Sequence, residues 1–145
     1  MTKHYIDIGG KWAVIFAYGI DSSDLDEIAD WLDALGGSYD DIERACRLIM
    51  KPNTGFTFSD PNLRMSVMCV GRATSRDEWF DTLVHEIDHV QDAFCGYYGI
   101  SHGSEDAAYL QGYLAREAFK LSVNDICPVC GHLSNSISNP LSTSS

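Results

Sequence analysis

The sequence predicts an α+β domain, and three observations predict it. The apolar run from Lys11 to Ile20 is rich in Val, Ile, Phe and Tyr, the residues that suit a buried strand. Two further strand-like runs, 55–59 and 64–70, flank the turn residues Asp60-Pro61-Asn62 and read as a hairpin. Other segments carry apolar residues at helical spacing, between start and stop signals of the kind that bound helices.

Taken in order, Lys11 to Ile20 is a strand bounded by glycines and Asp21. Asp24 to Leu35 is a helix capped by Ser23 or Asp24 and stopped by Gly36-Gly37. Ser38 with Asp41 starts a second helix, whose stripe is Ile42, Ala45, Cys46 and Ile49 and which Pro52 ends. After the hairpin, Ser75 with Glu78 makes a capping box, and a helix follows from about Arg76 to Phe94, with Gly96 and Gly99 marking its end. A last helix runs from Ser104 to about Leu121. Residues 1–126 form one domain; residues 127–145 hold the segment Cys127-Pro-Val-Cys130-Gly-His and a Ser- and Asn-rich tail too poor in apolar residues to order itself.

Composition narrows the function classes. A chain of 145 residues suits one core. Its net charge of −11 argues against a nucleic-acid partner, which needs clustered Lys and Arg. No apolar run is long enough to span a membrane, and the first residues do not read as an export signal, so the expected location is the cytoplasm. Five cysteines, an odd number, argue against a disulfide framework; Cys46, Cys69 and Cys95 sit among apolar residues and read as small core side chains.

The chemistry concentrates in His85-Glu86-Ile87-Asp88-His89. On a helix, imidazoles four residues apart share a face and can grip one zinc ion. Glu86 lies about 100° round the helix from His85, close to the metal without being a ligand. From there it can act as general base on a metal-activated water and return the proton to a leaving amine. Phe80, Leu83, Ile87, Val90 and Phe94 form the apolar stripe of this helix. The midpoint of the two histidines lies roughly 150° from the centre of that stripe, so the core face and the metal face are separate. Asp81, Asp88 and Asp92 lie on the histidine side as candidate partners for a ring N–H or as solvated charges.

A catalytic zinc usually takes three protein ligands. Glu105, which opens the last helix, is the preferred third; Asp106 and His102 are rivals. The competing reading of Glu105 is an acidic residue placed to suit the helix dipole. Ala108 and Gly112 share its face and are small enough to permit a close approach by a neighbouring helix. Tyr109, one turn on, is a candidate oxyanion stabiliser, ahead of Tyr113; buried structural tyrosine is the competing reading for both.

The pattern His85-Glu-Ile-Asp-His89 followed by Ser-Glu105-Asp-Ala-Ala-Tyr109 resembles the gluzincin branch of the HExxH zinc metallopeptidases, and especially the minimal zincin-like proteins of bacteria and their phages. The resemblance covers roughly residues 75–117. It implies a small mixed or antiparallel sheet packed on the HExxH helix, with a ligand-bearing helix after it. It also implies a bound Zn²⁺ and hydrolysis of peptide bonds in a peptide or protein substrate. An edge strand would hold that substrate by backbone pairing, and 64–70 is the candidate because it immediately precedes the helix. The chain departs from better-known gluzincins in that Asn does not precede Glu105 and Tyr109 stands where an acidic residue is often found.

Cys127-Pro-Val-Cys130-Gly131 resembles one knuckle of a zinc ribbon, a candidate second, structural zinc site; a redox pair and two inert thiols are the alternatives. For the whole chain the competing function is a zinc-binding interaction module without proteolytic activity. A zinc deaminase fits poorly, because that class pairs H-x-E with P-C-x-x-C, whereas here His85 and Glu86 are adjacent and the proline falls between the cysteines.

Overall fold

The computed structural model describes residues 1–127. It is an α+β fold. Strands β1 (Thr2–Asp7), β2 (Ala13–Tyr18), β3 (Gly55–Asp60) and β4 (Met65–Val70) form one mixed sheet in the order β1-β2-β4-β3. The β1–β2 and β3–β4 pairs are antiparallel, and the central β2–β4 pair is parallel. Helices α1 (Leu25–Ala34) and α2 (Tyr39–Ile49) connect the two hairpins; α3 (Arg76–Tyr98) and α4 (Glu105–Ser122) follow the sheet.

Alternation along the central strands explains the layers. Ile15, Ala17, Val67 and Cys69 point to one face and pack with Ile28, Leu32, Ala45 and Ile49 of α1 and α2. Val14, Phe16, Tyr18, Met68 and Val70 point to the other face and pack with Trp79, Leu83, Ile87, Val90, Leu110 and Leu114 of α3 and α4. A strand buried on both faces reads as a continuous apolar run, which is why the 11–20 segment stood out. Its ends are trimmed in the structure: Lys11 and Trp12 belong to the turn after β1, and Gly19 leaves the strand at φ +67°.

Elsewhere in the sheet and its helix boundaries the structure also differs from the sequence reading. β1 was not anticipated; its residues are mostly polar, because only Ile6 in it is buried. The edge strand beside the HExxH helix is β3, not the 64–70 segment. β4 lies between β2 and β3, so both its backbone edges are already paired. Asp21, rather than Ser23 or Asp24, caps the start of the first helical segment, because a single 3₁₀ turn over Ser22–Asp24 precedes α1. α3 continues past Phe94 to Tyr98, with Gly96 inside it; the stop is Gly99 at φ +69°, where the N–H groups of Gly99 and Ile100 both meet the Cys95 carbonyl.

The remaining start signals hold, except that at Ser75 only half of the expected capping box forms: Ser75 accepts from Glu78, and Glu78 does not reach back. Ser38 and Asp41 form a reciprocal capping box, and Ser75 and Ser104 accept the N–H groups of Glu78 and Ala107. Among the described residues no helix is long and apolar enough to cross a membrane. Cys69 and Cys95 are buried and Cys46 half-buried, and burial pushes all three thiols up from their ordinary range. Cys127 is half-buried at the end of the described chain; Cys130 and the tail lie outside it.

Candidate metal centre and active site

α3 lies across β3 and β4 with Leu83, Ile87, Val90 and Phe94 in the core. The face that remains carries His85 and His89, both exposed. Their Nε2 atoms are 3.3 Å apart, and their rings stand nearly perpendicular at 84°. Zinc–imidazole bonds of about 2.0–2.1 Å at a tetrahedral angle require a nitrogen–nitrogen separation of about 3.3–3.4 Å. The 3.3 Å separation matches that requirement, and in the metal-free protein it is a hydrogen-bond contact between the two imidazoles.

Glu86 is the exception on this helix. It is a carboxylate only 3% exposed. Burial of a charged group is costly unless it is paired, and among the described residues the Glu86 carboxylate takes its hydrogen bond from the edge strand. The Thr57 hydroxyl of β3 donates toward Glu86 Oε1 at 2.9 Å, with the Glu86 carbonyl oxygen 3.2 Å from the same hydroxyl. Burial raises the Glu86 pKa above its ordinary value, opposed in part by the Thr57 hydroxyl and by the neighbouring imidazoles. A carboxylate made more basic and turned toward an open groove is suited to accepting a proton.

That groove has a volume of about 330 Å³ and is lined by Leu48, Asn53, Thr54, Gly55, Asp81, Thr82, His85 and Glu86. Gly55 sets how closely β3 approaches α3. A Cβ there would lie 2.5 Å from the Cys69 carbonyl oxygen, 3.0 Å from Glu86 Cγ and 3.1 Å from Thr82 Cγ2. Gly55→Ala is accordingly expected to push β3 away from α3, with a loss of roughly 1–3 kcal/mol of overpacking energy, read as a lower denaturation midpoint with an unchanged slope.

The other predicted site residues lie on or near α4. Glu105 and Asp106 are exposed in its first turn, and Tyr109 is 73% exposed. The face that packs on α3 and the sheet is Ala107, Leu110, Leu114 and Ala118. Ala108 and Gly112 face outward instead, and a Cβ on Gly112 would meet nothing within 4 Å. Among the described residues no third His, Cys, Asp or Glu joins His85 and His89 in a metal-ligating group. Two contacts join the segment around Glu105 to adjacent residues of α3, just past His89. His102 Nδ1 lies 3.2 Å from Asp92 Oδ1, and the Gln91 amide donates to the Ala107 carbonyl at 2.9 Å. Asp81 and Asp88 are exposed. The Tyr113 hydroxyl donates to the Asp7 carbonyl at 2.7 Å, a link between α4 and the β1 turn.

Thr57 and Gly55 were missed by sequence reasoning. Neither type is diagnostic in a strand; only the register of β3 on β4 brings them over Glu86. No family model, no curated protein and no solved structure matches this chain.

Proposed function

We propose that the chain is a zinc-dependent peptidase in which His85 and His89 bind the metal and Glu86 is the general base. The observation that carries this reading is the 3.3 Å separation of the two Nε2 atoms beside a buried carboxylate. A structural zinc site has no use for such a base; a hydrolytic one does.

Glu105 is the proposed third ligand: the contacts His102–Asp92 and Gln91–Ala107 tie the start of α4 to α3 just past His89, and Glu105 would reach the metal by turning inward from the exposed face it shares with Ala108 and Gly112. Tyr109, exposed on the same helix, is the proposed oxyanion donor. Zinc, when bound, supplies a Lewis acid that polarises the scissile carbonyl and lowers the pKa of water. Glu86 takes the proton of the attacking water on its carboxylate and delivers it to the departing amine. Thr57 holds one carboxylate oxygen still, leaving the other to move the proton. The open edge of β3 offers backbone donors and acceptors for an extended peptide, the usual way in which an edge strand captures one.

The test is cleavage of a mixture of quenched fluorescent peptides by the zinc-loaded chain. Hydrolysis that a chelator abolishes and added zinc restores is expected. A zinc-loaded chain that cleaves none of the mixture contradicts the reading.

A further inference from the structure

The groove next to Glu86 carries a chemical bias that the hydrolytic machinery does not need. Asp81 lies one helical turn before His85 on α3 and is one of the residues that line the groove. The opposite wall is the C-terminal end of α2 and the turn after it, Leu48 to Thr54. A helix C-terminus carries partial negative charge on its last carbonyls. Here the Thr54 hydroxyl is already spent on the Leu48 and Lys51 carbonyls at 2.5 and 2.8 Å. The Asn53 amide is likewise engaged with Thr74. The Thr54 proton is thus taken by carbonyls, and one of the two Asn53 amide protons by Thr74. No lysine or arginine lines the groove. A carboxylate and a helix C-terminus thus converge on one groove with an apolar wall at Leu48, suited to a long side chain with a cationic tip.

Strand direction says which substrate residue enters. β3 runs from Gly55 to Asp60, and Glu86 faces Thr57. A peptide adding antiparallel to β3, the more stable pairing, has its carboxyl-terminal part beside Gly55, where the groove begins.

Resting on the peptidase reading above, we infer that the groove is a specificity site selecting lysine or arginine immediately after the scissile bond, with Asp81 as the selecting residue. The rest of the chain agrees in sign, since a net charge of −11 attracts basic peptides.

Two measurements on the full chain test this. The first is cleavage profiling of a peptide library by the zinc-loaded wild type and by Asp81→Asn. Wild type is expected to favour Lys or Arg over norleucine or Gln after the cut by about tenfold, a preference that weakens at high salt. Asp81→Asn is expected to lose the preference while still cutting neutral peptides. The second is an NMR titration of the metal-free chain with Nα-acetyl-lysine-methylamide and its norleucine analogue. Shifts at residues 53–55 and 81–86 with the lysine compound alone support the site. Cleavage without cationic preference, or a preference unchanged in Asp81→Asn, overturns the specificity site and leaves the peptidase standing. Selective lysine binding by the metal-free chain, together with no cleavage of any peptide by the zinc-loaded chain, keeps the cation site and overturns the peptidase.

Discussion

Glu86→Gln is expected to abolish hydrolysis and, at the same time, to stabilise the metal-free protein. Removing a positioned general base costs about 10²–10⁴ in rate. Glutamine keeps the shape and can still accept the Thr57 hydroxyl, so binding of zinc and of peptide should survive. The gain in stability follows from linkage. Burial raises the Glu86 pKa in the folded state, so the folded chain binds this proton more tightly than the unfolded chain does. Stability from this group is therefore greatest below the unfolded value, near 4.5. It declines as pH rises from there through the raised folded value, and the penalty is complete above it. Glutamine has no such penalty. At pH 7 the variant is expected to be more stable than the wild type, and the gain should shrink as pH falls toward and below the ordinary carboxylate range. Thermal unfolding of both proteins across that pH range, in chelator, measures it. Loss of activity with a gain of stability marks a residue kept for chemistry rather than for the fold.

His85→Ala is expected to do the reverse: leave the metal-free fold alone and remove the metal. His85 is exposed and opposite the core stripe, so its loss should change metal-free stability by no more than about 0.5 kcal/mol. Its effect on zinc affinity should exceed about 100-fold, since even outer partners of metal ligands cost 10–100-fold. Zinc at 100 times its dissociation constant stabilises by about 2.7 kcal/mol. The wild type should therefore gain roughly 8–10 °C on adding zinc, and His85→Ala none. Scanning calorimetry with and without zinc reads this directly.

These expectations rest on features of unequal legibility. The HExxH helix was readable because three signals coincide on it: a serine cap at Ser75, an apolar stripe at 83, 87, 90 and 94, and histidines off that stripe. The structure keeps all three. The central strand was readable because burial on both faces leaves an unbroken apolar run. β1 was not, since five of its six residues escape burial and its pairing depends on a distant partner. Burial of Glu86 was also hidden. On a helical wheel Glu86 lies at the flank of the apolar stripe, where nothing in the sequence says what covers it; it is buried because β3 closes over it, with Gly55 and Thr57 in contact. The choice of edge strand failed for a related reason. Nearness in sequence to α3 favoured 64–70, but the parallel pairing of β4 with β2 is a long-range contact that moves β4 inward and leaves β3 at the edge. Small residues at 108 and 112 suggested close packing of α4, yet the larger apolar stripe of Leu110 and Leu114 decides which face is buried.

The central claim is that His85 and His89 together chelate one zinc ion, and the most direct measurement is zinc stoichiometry and affinity by competition with a chromophoric chelator. The protein to use carries Cys127→Ser and Cys130→Ser, so that only the α3 site is read. One zinc per chain, bound tightly and lost when either histidine is replaced by alanine, is the predicted result. No zinc bound, or zinc retained with both histidines removed, would contradict it.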